Sequence, residues 1–201
     1  PTAAPAEATK SPAPAEIKKE DAKPKRKSVQ EFTKDFKRVD GLFRMYLDHE
    51  KGGVWLYIHK SQVGPEFIYF NHSVDGPVAA GHNRGRYGNE TIFTLRRIFD
   101  RVELVEQNTA LHFDSQSPLA KAGKANTSHA ILASETIVAD DADGLLISAT
   151  NLFLRETLTM VKQGGDSGGK SVLGRLSEPK TKILRINGYP KNTAVISEYV
   201  Y

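Results

Sequence analysis

The densest run of reactive residue types lies between Gly164 and Ser171, which read GGDSGGKS. Gly164, Gly169, Lys170 and Ser171 match GxxxxGK[ST], a loop whose backbone N–H groups converge on phosphate when a buried strand delivers it and a helix begins at the lysine. Here a helix-like segment precedes the loop, and Gly174 and Pro179 follow too soon for a long helix. The flanks are inverted, so a phosphate-loop nucleotide-binding protein stays a remote alternative. The same run contains GDSGG at 165–169, the surroundings of a serine nucleophile in chymotrypsin-like proteases, and Thr109-Ala110-Leu111-His112 echoes the histidine region. A triad needs that histidine to take the serine proton while a buried aspartate fixes its tautomer. In that family the two residues belong to separate barrels, and the 54 residues between His112 and Ser167 cannot hold two barrels. The plain reading of 164–171 is a solvated glycine-serine insertion.

Metal chemistry fares no better. The six histidines, His49, His59, His72, His82, His112 and His129, include no pair three or four apart, so no helix presents two imidazoles on one face. His49-Glu50 opens like HExxH but continues Lys51-Gly52-Gly53, which is turn sequence. Asp140, Asp141, Asp143 and Gly144 resemble half a calcium loop without its alternating ligands or closing glutamate, and read as a hairpin turn. HNRGRYG at 82–88 offers Arg84, Arg86 and Tyr87 to an anion or an RNA phosphate, though two loop arginines ordinarily stay solvated. With zero cysteines there is no disulfide, CxxC knuckle or thiol nucleophile. The residues alone assign no catalytic, cofactor-binding or metal-binding position.

Composition bounds the elements that would carry any site. The 201 residues are 39% hydrophobic and 26% charged, enough for one domain, or a smaller domain and a tail. No apolar run approaches the roughly 18 residues of a membrane span, and the first ten residues lack a secretory apolar stretch, so an exported chain would already have lost its signal. Residues 1–30 hold seven Lys/Arg against four acids, leaving 21 bases and 20 acids in 31–201. The net +4 is therefore mostly in the tail, and no basic surface for nucleic acid is expected. Five of the ten prolines, seven alanines and no aromatic make 1–30 a disordered linker, with one domain over 31–201.

From Glu31 the pattern is short apolar runs broken by turn residues, which predicts a β-dominated α+β fold: antiparallel hairpins and meanders in a sandwich- or barrel-like sheet. Strands are expected at 42–47 and 54–58, where Trp55 and Tyr57 share one face and Val54, Leu56 and Ile58 the other. FIYF at 67–70 is apolar throughout and reads as a central strand. Further strands are expected at 91–99, 102–105, 110–113, 130–139, 145–148, 181–186 and 193–201. Leu154, Leu158 and Val161 at i, i+4, i+7 predict one helix over 151–162, capped by Thr150 or Asn151. An apolar strand ending at Tyr201 suggests a domain truncated at its C-terminal end.

Four stretches, in order, resemble the non-catalytic N-terminal domain of unknown function in a family of bacterial HExxH zinc-dependent metalloproteases. They are 40–77 (DGLFRMYLDHE…FNHSVDGP), 88–113 (GNETIFTLRRIFDRVELVEQNTALHF), 144–160 (GLLISATNLFLRETLTM) and 186–201 (INGYPKNTAVISEYVY). The likeness spans about 31–201 and breaks at the glycine-rich 163–170. It implies an accessory domain, not itself an enzyme, that supports or shields a catalytic domain downstream in the same polypeptide. That absent domain would carry HExxH, whose two histidines hold zinc while the glutamate activates water. The resemblance further implies no cofactor in this chain, peptide or protein substrate as a partner, and a periplasmic or extracellular location. A different class remains open: a stand-alone module binding peptide or glycan through Trp55, Tyr57 and Tyr87.

Overall fold

The computed structural model describes residues 26–109, 117, 128–161 and 173–201. Residues 1–25 of the expected linker, the strand expected at 110–113, His112 and the 164–171 run lie outside them. The described chain enters the fold before Glu31: Lys27 bridges Ala139, and Val29, at the start of α1 (Val29–Phe32), is buried.

Val54–His59 forms β3 because bulky residues on both sides of its pleat find apolar cover. Asp48 turns the chain into it, its Oδ1 accepting from Glu50 N at 2.9 Å and Lys51 N at 3.1 Å, with Gly52 at φ 69. β3 pairs with β2 (Arg44–Leu47) on one side and β8 (Gly144–Ser148) on the other. The remaining members of the sheet are β1 (Lys37–Val39), β4 (Glu66–His72), β5 (Tyr87–Ile98), β6 (Arg101–Glu106) and β7 (Ile131–Asp140). All neighbours run antiparallel in the order β1-β2-β3-β8-β7-β6-β5-β4. The sheet curls, so that Phe43, just before β2, puts its ring 4.8 Å from that of Phe67 on the far strand β4. The β-dominated antiparallel expectation is met.

Two cores sit on the two faces. Met45, Val54, Leu56, Ile58, Leu95, Leu145 and Ile147 fill the first, inside the curl. Tyr46, Tyr57, Ala139 and Leu146 form the second, roofed by Val29, Phe32, Phe36 and Trp55. A separate hairpin, β9 (Lys182–Tyr189) and β10 (Asn192–Glu198), adds Ile183, Ile186 and Val195 to the first core. Two threonines tie loose ends to the sheet in one way. Thr193 Oγ1 accepts from Phe43 N at 2.9 Å and donates to Phe43 O at 3.0 Å; Thr150 Oγ1 does the same to Val54 N and O at 2.9 and 3.3 Å. Gly188 lies so close to Asp40 O that any Cβ there would stand 1.8 Å from it.

Two expectations are corrected. FIYF is not central: β4 is the edge strand, with Phe67 and Tyr69 half-buried inside the curl and Ile68 and Phe70 exposed outside. An apolar run satisfies a two-faced burial pattern, but nothing described covers the outer face here. The helix is α2 (Thr150–Leu154), five residues rather than 151–162, and its N-cap is Ala149 with no side-chain cap. Thr150 is engaged on Val54 instead. Beyond Leu154 tertiary contacts override the apolar period: Thr159 Oγ1 bonds Tyr69 Oη and accepts from Asn71 Nδ2 at 2.8 Å, and Val161 O meets His82 Nε2 at 2.8 Å. Those contacts hold Thr159 against β4 and Val161 against His82, in the loop before β5, instead of closing another helical turn.

Leu146→Ala, which opens a void in the second core, should lower the unfolding free energy by about 2–5 kcal/mol. Thr193→Val, which strands Phe43 N–H and C=O, should cost about 1–3 kcal/mol. Urea unfolding measures both; an unchanged midpoint for Thr193→Val would show that the tie does not hold the hairpin.

Candidate functional site

Two places combine exposed reactive or apolar groups. The first is a polar recess of about 360 Å³ where the β2–β3 hairpin meets the β7–β8 turn. It forms because Asp40 folds back over β2: Arg38 Nε and Arg44 Nε both donate to its Oδ1, at 2.9 and 2.8 Å. The hydrogen bond from Arg38, with that from Arg44, holds the Asp40 carboxyl below its ordinary range. Arg44 also lies 5.2 Å over the ring of Tyr57. Tyr57 Oη donates to Asp141 Oδ1 at 3.1 Å, and burial, this bond and the charges of Asp141 and Asp143 push its phenol up to about 12.

His59 and Ser61 line the same recess, with Nδ1 and Oγ 2.7 Å apart. A histidine beside a serine hydroxyl is half of a nucleophile pair. Its context is a helix cap: Nδ1 also accepts from Ser61 N at 3.2 Å, and Gln62 Oε1 accepts from His59 N, closing a capping box on the 3₁₀ turn Lys60–Gln62. With Nδ1 accepting, Ser61 donates, and the pair positions the turn. Sequence reasoning missed this recess, because Asp40, the Tyr57 and His59 of β3, and Asp143 lie far apart along the chain and meet only through the β2–β3 and β3–β8 pairings.

The second place is the outer side of β4 and β5. Ile68 is 74% exposed, Phe70 58% and Tyr87 77%. Phe70 stacks on His72, and His72 leans on Tyr87. The tip of the β5–β6 hairpin is separate: Phe99 is 87% exposed and adopts φ 53, a left-handed conformation favoured by glycine or asparagine.

The residues singled out in the sequence are dispersed. His49-Glu50 lies in the β2–β3 turn, and 140–144 is the β7–β8 turn, where Asp141 Oδ1 accepts from Asp143 N and Gly144 N at 3.0 and 2.8 Å. Arg84 donates to Val74 O and Arg86 to Gly81 O, so both arginines of 82–88 bind their own loop. Trp55 stacks on Phe36 at 4.5 Å and Tyr57 is buried, so only Tyr87 of the three aromatics presents an open ring. Among the described residues no group of three or more His, Cys, Asp or Glu could hold a metal ion, and no helix is long and apolar enough to cross a membrane.

Tyr57 keeps its proton in the fold to about pH 12 but loses it near its ordinary value of about 10 when unfolded. Its contribution to stability is therefore whole below pH 10 and lost between 10 and 12. Tyr199, pushed by burial to about 12 as well, adds to the same loss. Tyr57→Phe should flatten part of this decline in urea titrations from pH 9 to 12; an identical slope in both proteins would contradict the buried phenol.

No curated protein and no solved structure matches the chain. A family model does match, over residues 85–201, from the loop before β5 to the C-terminal hairpin, with α1 and β1 to β4 outside it. With more than half of its length matched, the chain belongs to the family of the domain of unknown function DUF5117.

Proposed function

We propose that this domain is the accessory, non-catalytic front module of an exported zinc-dependent metalloprotease, docking against a downstream catalytic domain of the same polypeptide. The observation that carries the docking role is Phe99. A hairpin tip is ordinarily polar, and its left-handed position ordinarily holds asparagine or glycine. Here an aromatic occupies it, 87% exposed, with Arg97 Nε donating to its carbonyl at 3.3 Å. The left-handed backbone costs about 1 kcal/mol and the exposed ring gains nothing from folding. Both features fit a ring that a neighbouring domain covers, since interface energy concentrates in a few aromatic anchors. Zinc and the peptide-cleaving residues belong, in this reading, to the catalytic domain, and peptide or protein is the substrate there.

Phe99→Gly separates the two roles. It should raise the stability of the isolated chain by about 1 kcal/mol while weakening its association with the separately produced catalytic domain about tenfold or more. Calorimetry reads both quantities. Unchanged association would sink the docking role, and stoichiometric zinc or peptidase activity in the dialysed chain alone would sink the accessory reading.

A further inference from the structure

The two ends of the eight-stranded sheet are treated differently. β1 is three residues long and carries Lys37 and Arg38, the short, charged form that discourages edge pairing. β4 runs seven residues, EFIYFNH, with no lysine, arginine or proline, and among the described residues its backbone partner is β5 alone.

The hydrogen bonds around β4 define which of its groups face outward. Gln107 N donates to Ile92 O at 2.8 Å and Gly64 N to Leu95 O at 3.0 Å, so Ile92 turns to β6 while Leu95 turns to the β4 side. In the register Phe67↔Phe93, Ile68↔Ile92 and Tyr69↔Thr91, Phe67 and Tyr69 therefore bond β5, and Glu66, Ile68 and Phe70 direct N–H and C=O to the open edge. Ser73 N bonds Arg86 O at 2.8 Å, which turns His72 outward too.

These four residues are complementary to themselves. An antiparallel copy centred on Tyr69 sets Ile68 against Phe70 and Glu66 against His72, each pair occurring twice, and joins the strands by about eight backbone hydrogen bonds. Shifting the centre to Ile68 or Phe70 keeps the edge groups aligned but sets Glu66 against Phe70, or His72 against Ile68. Glu66 has no ion pair among the described residues, and an imidazole N–H answers its carboxylate.

We infer that a second copy of this chain docks on β4, in a two-fold antiparallel strand pairing centred on Tyr69 that continues the sheet across both molecules. The pairing closes on itself, as a two-fold contact must, and covers Ile68 and Phe70 with apolar partners.

Sedimentation equilibrium of the full 201-residue chain tests this. The mass should rise towards twice 22.2 kDa with concentration up to about 100 μM. Phe70→Lys, at an exposed position and checked for folding by circular dichroism, should weaken the dimer about tenfold or more. Glu66→Lys should also weaken it, and Glu66→Lys with His72→Glu should restore it by exchanging the two ends of the same pair. A wild-type mass of 22.2 kDa throughout the range overturns the inference. So does a dimer indifferent to Phe70→Lys, which must use another surface, or a double variant that stays as weak as Glu66→Lys.

Discussion

The fold depends on the burial of β3 and β8 on both faces at once. Leu145, Leu146 and Ile147 are consecutive, and consecutive strand residues face opposite ways, yet all three are at most 4% exposed. A single-layer sheet cannot do that. The chain must supply a second cover, and it does so with α1 and the residues after it, whose Val29, Phe32 and Phe36 roof Tyr46, Tyr57 and Leu146. At about 1.5–3 kcal/mol for each fully buried aliphatic side chain, loss of either cover would remove a large part of the net stability of a domain this size.

From that central pair the order of the sheet follows outwards, and the two ends differ in kind. On the β2 side the residue before the strand is tied by Thr193, and the close approach of Gly188 to Asp40 seats the C-terminal hairpin against it. The curl then brings Phe43 to Phe67, so β4 is held by its inner face while its outer face and backbone edge stay uncovered among the described residues. Thr159 reinforces the inner face alone, through Tyr69 and Asn71.

Much of this was legible. Short apolar runs broken by turn residues locate β2, β3, β6, β7 and β8 closely, because the turn residues mark where each strand must end. What was not legible shares one cause: an apolar residue in a sequence does not say what covers it. FIYF carries the signature of a strand buried on two faces, and the position of β4 at the end of the order is decided elsewhere, by β3 taking β8 rather than β4 as its second neighbour. Leu154, Leu158 and Val161 fit a helical stripe, yet Tyr69 and Asn71 hold the Thr159 side chain and His82 the Val161 carbonyl outside it. The polar recess was invisible for the same reason, its groups meeting only through the β2–β3 and β3–β8 registers.

Exposed apolar side chains are normal on any protein, so their number argues little; their backbone setting argues more. Ile68 and Phe70 stand on a strand whose N–H and C=O groups remain available along the same edge, and Phe99 stands on a left-handed residue that glycine would occupy more cheaply. In neither place does folding of the isolated chain need the residue found. Lysine within β4 would have protected the edge, as Lys37 and Arg38 do on β1, and asparagine or glycine would have relaxed the hairpin tip. The proposed docking and the proposed strand pairing each give such a surface its cover, and the two differ in what they ask of a partner. An open strand edge asks for another strand, which a copy of the same residues supplies; a lone aromatic at a hairpin tip asks for a pocket, which a neighbouring domain supplies in the proposed docking.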